Sequence, residues 1–429
     1  MSPIASSACR LAIAGLIGFG ANLGANAAFA QSLLIRNATV HTAAGAGTLM
    51  DTDVLVQNGK IAAIGKDLPA PEGLRHIDAH GRPLTPGLFA GLTQIGVVEI
   101  GLEPTAGDEA TGLGGMRPEF DLALAYNPES MAVGVTRSGG VTFGLLTPST
   151  APASSGGSLI AGQGALFRLD GGDIPLSSPR VLVVEFGGDS AGLAGGSRAA
   201  QYMLLHQAFT EARTPAQLLS HDERLLTPTG RLLLGDFLKN RGLIVIDVDR
   251  ASDIRGVLAF AAREGLRIAI RHGNEAWRVA RQLAAANVPV IVDPFENLPG
   301  SFDEIGTTLE NAARLARAGV QILFSTSEPG TDRALVLRQA AGNAVAHGLP
   351  WETALAAITR SPADAFGAGP QLGSIEVGKR ADLVLWSGDP LEVTSLAEQV
   401  WLDGRAVDLR SRQTELRDRH MARLKPFFR

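Results

Sequence analysis

Cysteine is nearly missing from this chain: of 429 residues only Cys9 carries a thiol. It precedes the first apolar run, so the body of the protein has no thiol for disulfides, nucleophilic catalysis or metal binding. Aromatic residues make up 5%, with two Tyr, which leaves Ala, Val, Leu and Ile to build the core. No dense basic run interrupts a sequence of net charge −5, which argues against a nucleic-acid partner. Glycine (51) and proline (23) recur at no short period, so collagen-like and disordered readings fail. Neither a GxGxxG loop after a first strand nor a phosphate loop is present. The eight histidines form no His-x-His and no HExxH pair. His76 and His80 are four apart, about 13 Å in a strand, too far to share one ion.

What is present at the N-terminus reads as a secretory signal over residues 1–30. Arg10 gives a short positive region, Leu11 to Gly20 an apolar run, and Ala28-Phe29-Ala30 a small-x-small cleavage site. The expectation is a periplasmic or secreted protein with no membrane span after cleavage. At the other end, residues 411–429 form a charged tail rich in Arg, read as a solvated helix or a docking element.

Between the ends, two patterns alternate. Leu33-Leu34-Ile35, Val54-Leu55-Val56 and Lys60 to Ile64, with Asn58-Gly59 as a hairpin turn, read as a small antiparallel sheet. Matching segments return at Ala381 to Trp386 and Gln399 to Leu402. One β-sandwich built from both chain ends (31–85 and 366–410) is therefore expected. In the middle, apolar strands at Leu243, Arg267, Val288 and Val320 alternate with amphipathic helices, the signature of parallel β/α units. Earlier strand candidates are Leu88 to Val98, Val141 to Leu146 and Val181 to Phe186. Residues 86–365 suit an eight-fold (β/α)8 barrel, with an open doubly wound sheet as the alternative.

In such folds chemistry gathers where strands end. Asp247 and Asp249 finish one strand and share a face, being two apart. His272 finishes the next, Asp293 the one after, and Ser325 to Glu328 the last. Two carboxylates and an imidazole suit a hard cation or a positive ligand group. They also suit a structural ion-pair network with Arg250, Arg255 or another arginine. Gly188-Asp189-Ser190-Ala191-Gly192 fits GxSxG, but the glycines after it are poor material for the helix a nucleophile elbow needs. A serine hydrolase would have to recruit His272 and Asp293.

Several stretches together resemble the amidohydrolase superfamily, in its exported imidazolonepropionase-like branch. They are Val54 to Gly65, Leu84-Thr85-Pro86-Gly87-Leu88, Gly139 to Thr142, Gly162 to Ala165, Ser361-Pro362-Ala363 and Leu372 to Val384. The resemblance implies a distorted (β/α)8 barrel with a β-sandwich from both ends, and hydrolysis of non-peptide C–N bonds or small dipeptides with divalent metals. It implies ligands at a His-x-His after the first barrel strand, a bridging carboxylate or modified lysine, histidines after the fifth and sixth strands, and a final aspartate acting as base. Those addresses fall on Leu92 and Gln94, on Val183 as the best guess for the bridge, on Asp247-Val248-Asp249, on His272 and on Ser327. Only His272 keeps the expected type.

The resulting expectation is a degenerate metal site, no cofactor, and a non-catalytic ligand-binding or partner subunit. Its partners would be a small molecule, a second copy of the chain or an active paralogue. The alternative is an active hydrolase of cyclic amides or small dipeptides with a relocated site. That site would use Asp247, Asp249 and His272, with Glu99, Asp108 or Glu328 as further candidates, and would hold zinc or a harder cation.

Overall fold

The computed structural model describes residues 32–69, 73–101, 103–176, 179–215, 224–327 and 333–424. The expected signal segment, Glu328 and the last five residues of the tail lie outside the described residues. The strands run, in chain order, β1 Leu33–His41, β2 Thr48–Gln57, β3 Lys60–Gly65, β4 Arg75–Asp78, β5 Pro83–Pro86, β6 Leu88–Thr93, β7 Val141–Leu146, β8 Ile160–Arg168, β9 Val181–Glu185, β10 Leu243–Val248, β11 Arg267–His272, β12 Val290–Val292, β13 Ile322–Phe324, β14 Leu383–Trp386, β15 Ala397–Leu402 and β16 Arg405–Ala406. The helices are α1 Met131–Ser138, α2 Arg198–Arg213, α3 Pro228–Lys239, α4 Ala251–Glu264, α5 Ala280–Ala285, α6 Asn311–Arg317, α7 Leu337–Ala346, α8 Trp351–Ala357, α9 Arg360–Ala365 and α10 Arg412–Leu424.

Both chain ends build one sheet, in the order β16-β15-β14-β5-β1-β2-β3 with β4 beside β1. Asn58 and Gly59 both adopt positive φ (51° and 76°), as a tight hairpin turn between β2 and β3 requires. The two ends of the chain meet where β5 pairs antiparallel with β14, Leu84 opposite Leu385. A separate apolar cluster of Leu33, Ile35, Val54, Leu84, Leu383 and Trp401 among others seals this sheet.

The second sheet carries β6 to β13 in sequence order and curls into a nearly closed barrel. The gap between β6 and β13 is bridged by a side chain: the Leu92 backbone N–H donates to Ser325 Oγ at 2.9 Å. Phe89, Leu92, Phe143, Leu166, Val245 and Leu323 belong to one buried cluster to which all eight barrel strands contribute. This is the TIM-like architecture expected from the sequence, with one departure. β8 runs antiparallel to both β7 and β9, so the third strand is not part of a β/α unit. Its sequence, Ile160-Ala161-Gly162-Gln163-Gly164, is absent from the strand candidates because Gly has low strand propensity. Among the described residues no crossover helix covers it. Instead residues 118–126 pack there: the Gln163 N–H donates to Phe120 O at 2.7 Å, and the Tyr126 and Phe167 rings lie 4.0 Å apart.

Contacts that join the two sheets include an ion-pair cluster and a tight glycine approach. Arg168, at the end of β8, donates to Asp382 at 2.8 Å and 3.2 Å, and to Asp403 at 2.8 Å. Gly140 has φ +90°, and a Cβ there would come within 2.8 Å of the Trp386 ring. Only glycine tolerates that combination. Among the described residues no helix is long and apolar enough to cross a membrane.

Candidate metal and catalytic site

The barrel register sets up the site. β9, β10 and β11 are parallel neighbours, with Glu185 paired to Asp247 and Asp247 to Arg271. Cross-strand partners point the same way, so these three side chains converge at the C-terminal end of the barrel. His272 follows Arg271 with φ 65°, a left-handed conformation unusual for an imidazole residue, and Gly273 continues the turn. The turn brings His272 Nδ1 within 2.9 Å of Asp247 Oδ1 and 3.9 Å of Asp249 Oδ2. Asp249 is fixed from behind, its Oδ1 accepting from the Asn274 backbone N–H at 3.0 Å. Asp247, Asp249 and His272 each offer a ligand atom, all within 4.8 Å of one another.

Arg271 completes the wall. Its Nη1 lies 3.3 Å from Asp247 Oδ2, and its Nη2 donates to the Ser327 carbonyl at 3.3 Å. Arg250 pairs with Asp253 instead, so the arginine that meets Asp247 is Arg271. Ser327 accepts no metal-ligand role from its own side chain. Its N–H donates to Asp293 Oδ2 at 2.8 Å and its Oγ to Glu296 Oε1 at 2.6 Å. A carboxylate from the neighbouring strand end thus stands beside the address where the resemblance puts an aspartate.

Burial and charge push the titrations apart. Burial, reinforced by the Asp247 charge, raises Glu185 to about 7. Burial raises Asp249 to about 7, with Asp247 and Glu304 adding to it and His272 opposing. For Asp247 burial acts upward, but His272 and Arg271 outweigh it and hold the carboxyl below its usual value. Burial would lower His272, yet the Asp247 and Asp249 charges carry it to about 9. Glu185, Asp249 and His272 are thus all held above their usual values.

The remaining expected positions fall as follows. Leu92 is buried within the barrel core, and Gln94 Nε2 donates to Ser149 Oγ at 2.7 Å. Val183 is fully buried; the carboxylate on its face, two residues further along β9, is Glu185. The rule that found Asp247 at a strand end would have found Glu185 had it been applied to β9. Glu99 is held by Asn127 and Ser130, Asp108 is exposed, and neither joins the cluster. Ser190 precedes a 3₁₀ turn (Ala191–Ala194) rather than a helix, and its Oγ donates to Glu185 Oε2 at 3.4 Å. No nucleophile elbow forms there.

The expectation that no cofactor binds is overturned by this geometry. It rested on lost imidazoles at Leu92 and Gln94, whereas donors from β10 and β11 assemble independently of that edge of the barrel. The donor set fits a divalent cation: two carboxylates and an imidazole suit zinc or a harder ion. His272 presents Nδ1 to both carboxylates, 2.9 Å from Asp247 Oδ1 and 3.9 Å from Asp249 Oδ2, so the three donors face one point.

Comparison with known proteins places the chain beside amidohydrolases. Residues 250–409 match the model of the amidohydrolase family. The amidohydrolase tasK of Hapsidospora irregularis is 26% identical over 397 residues, 82% of this chain and 39% of tasK. An imidazolonepropionase of Maricaulis maris is 33% identical over 172 residues, 39% of this chain and 41% of that protein. The matches thus span about two fifths of the length of these curated relatives. The crystal structure of an amidohydrolase from Thermotoga maritima superposes with a TM-score of 0.77 at 26% identity, covering 88% of this chain and all of that one.

Proposed function

Because the chain belongs to the amidohydrolase superfamily, we propose that it is a metal-assisted hydrolase of carbon–nitrogen bonds whose site has moved to the ends of β10 and β11. The observation that carries this reading is the convergence of Asp247, Asp249 and His272 within 4.8 Å. These three residues would hold the ion. A bound divalent ion supplies Lewis acidity and a water acidified to about pKa 7. The chain's own groups do the rest. Asp247 and Asp249 draw His272 Nδ1 toward the same point, which presets the three donors. Arg271 fixes Asp247 from its other oxygen and ties β11 to the Ser327 carbonyl. Glu185, with a pKa near 7, is suited to accept and return a proton at neutral pH. Asp293 stands ready as a second acceptor beside Ser327. Cyclic amides and small dipeptides are the proposed substrate class.

A non-catalytic binding role is the second reading, favoured by Leu92, which packs in the core where the resemblance asks for a ligand. Elemental analysis of the purified protein, beside a screen on lactams, hydantoins and small dipeptides, decides between them. One equivalent of divalent ion, lost together with turnover in Asp249→Ala, supports the hydrolase. A stoichiometric ion with no turnover on any of these substrates supports the binding role. No bound ion under any loading condition refutes the site itself.

A further inference from the structure

A second concentration of charge lies away from the barrel mouth, on the helical layer. A groove of about 1120 Å³ runs between α6 on one side and, on the other, the 3₁₀ turn Ala276–Val279 continued by α5. Arg278 and Arg281 line it from one wall, Arg314 and Arg317 from the other. Within each pair the residues are three apart, the spacing that puts both on one helix face. Trp277 lies between: the Arg314 guanidinium sits 4.3 Å and that of Arg278 5.3 Å from its ring centroid. The indole is itself anchored, Nε1 donating to the Gly306 carbonyl at 2.8 Å.

Compensating charge is incomplete. Glu310 pairs with Arg314 at 3.0 Å, and Glu275 with Arg278 at 3.1 Å. Among the described residues Arg281 has no ion-pair partner. Arg317 has none either, its Nε donating only to the Ala313 carbonyl. Like charges three apart on a helix are mildly destabilising, and a solvated face ordinarily interleaves acids among them. Here two such pairs face each other across one groove in a chain of net charge −5. Two of the four guanidiniums are pre-oriented by the Trp277 ring, which lowers the ordering cost of binding. Planar, multi-donor guanidiniums pair bidentately with carboxylate and phosphate oxygens, and a polyphosphate carries enough charge to meet several of them at once.

We propose that this groove is a binding site for a multiply charged phosphate-class anion, distinct from the carboxylate cluster at the barrel mouth. The phosphate could be free or belong to a lipid headgroup, and the test separates the two. Titration of the full chain with sodium tripolyphosphate by calorimetry, and sedimentation with phosphatidylglycerol or phosphatidylcholine vesicles, are compared with the Arg281→Ala/Arg317→Ala variant. Both substituted side chains are exposed, and circular dichroism verifies that the fold persists. Saturable tripolyphosphate binding is expected, weakened about tenfold or more in the double variant, weakened by salt, and unchanged in Asp249→Ala. Sedimentation with phosphatidylglycerol alone, lost in the double variant, also supports the groove and assigns the phosphate to a lipid. Binding of neither probe at low salt overturns the proposal, as does equal affinity in the double variant.

Discussion

Loading the carboxylate–imidazole cluster with a divalent ion should release protons in a countable number. The perturbation is addition of zinc to metal-free protein at pH 7. His272, with a pKa of about 9, carries nearly a whole proton at that pH, and Asp249, at about 7, carries about half. Asp247 is already ionised, held so by His272 and Arg271. A cation needs all three as bare donors, so binding displaces about 1.5 protons. By linkage the affinity should climb about thirtyfold per pH unit around neutrality, flattening above the His272 value. Calorimetric titration in two buffers of different ionisation enthalpy at one pH gives the proton count directly. A count near two would add Glu185, which holds about half a proton at its pKa of about 7, to the groups that ionise on binding. Asp249→Asn should lower the count by about half a proton and weaken binding. Zinc uptake with no proton release, or an affinity flat between about pH 6 and 8, would refute the assignment.

Four further variants test the scaffold. Burial pushes Asp303 upward, but the Arg198 guanidinium and the Gly188 N–H outweigh it and hold the carboxyl below its usual value. A lowered folded pKa means stability that is present above the unfolded value and lost as pH falls through the folded one. Asp303→Asn should therefore be less stable than the parent at pH 7, with the gap closing below about pH 4 in urea denaturation. Arg168→Ala leaves the Asp382 carboxylate, 4% exposed, without its counter-ion. It should cost about 3–5 kcal/mol by chemical denaturation. Asp403→Ala, which removes a partner 30% exposed, should cost under about 1 kcal/mol. Gly140→Ala forces a Cβ into the Trp386 ring at positive φ and should destabilise by about 1–3 kcal/mol, with a change in tryptophan emission.

Much of the architecture was legible because its strands announce themselves. Leu243 to Ile246 and Val288 to Val292 are continuous apolar runs, which only strands buried on both faces require. Asn58-Gly59 specifies its hairpin locally. The reversed β8 was not legible, because Gly162 and Gly164 carry no strand propensity and its pairing partners come from elsewhere in the chain. For the site, the shared face of Asp247 and Asp249 followed from their spacing. That His272 would turn back onto both depends on a left-handed backbone that nothing in the sequence demands of a histidine. Likewise Arg271 is one basic residue among 38 in the sequence. Only the β10–β11 register reveals that it faces Asp247.

The seam where β5 meets β14 has a consequence for biosynthesis. Thr85 accepts its hydrogen bond from the Trp386 indole across 301 residues of chain. At roughly 5–20 residues per second a ribosome needs about 15–60 s to supply that partner. Throughout that interval the nascent N-terminal strands present an unpaired, apolar border to everything around them. A premature stop codon anywhere upstream of Leu383 would make the interval permanent, yielding a polypeptide prone to clump even when its barrel portion is whole.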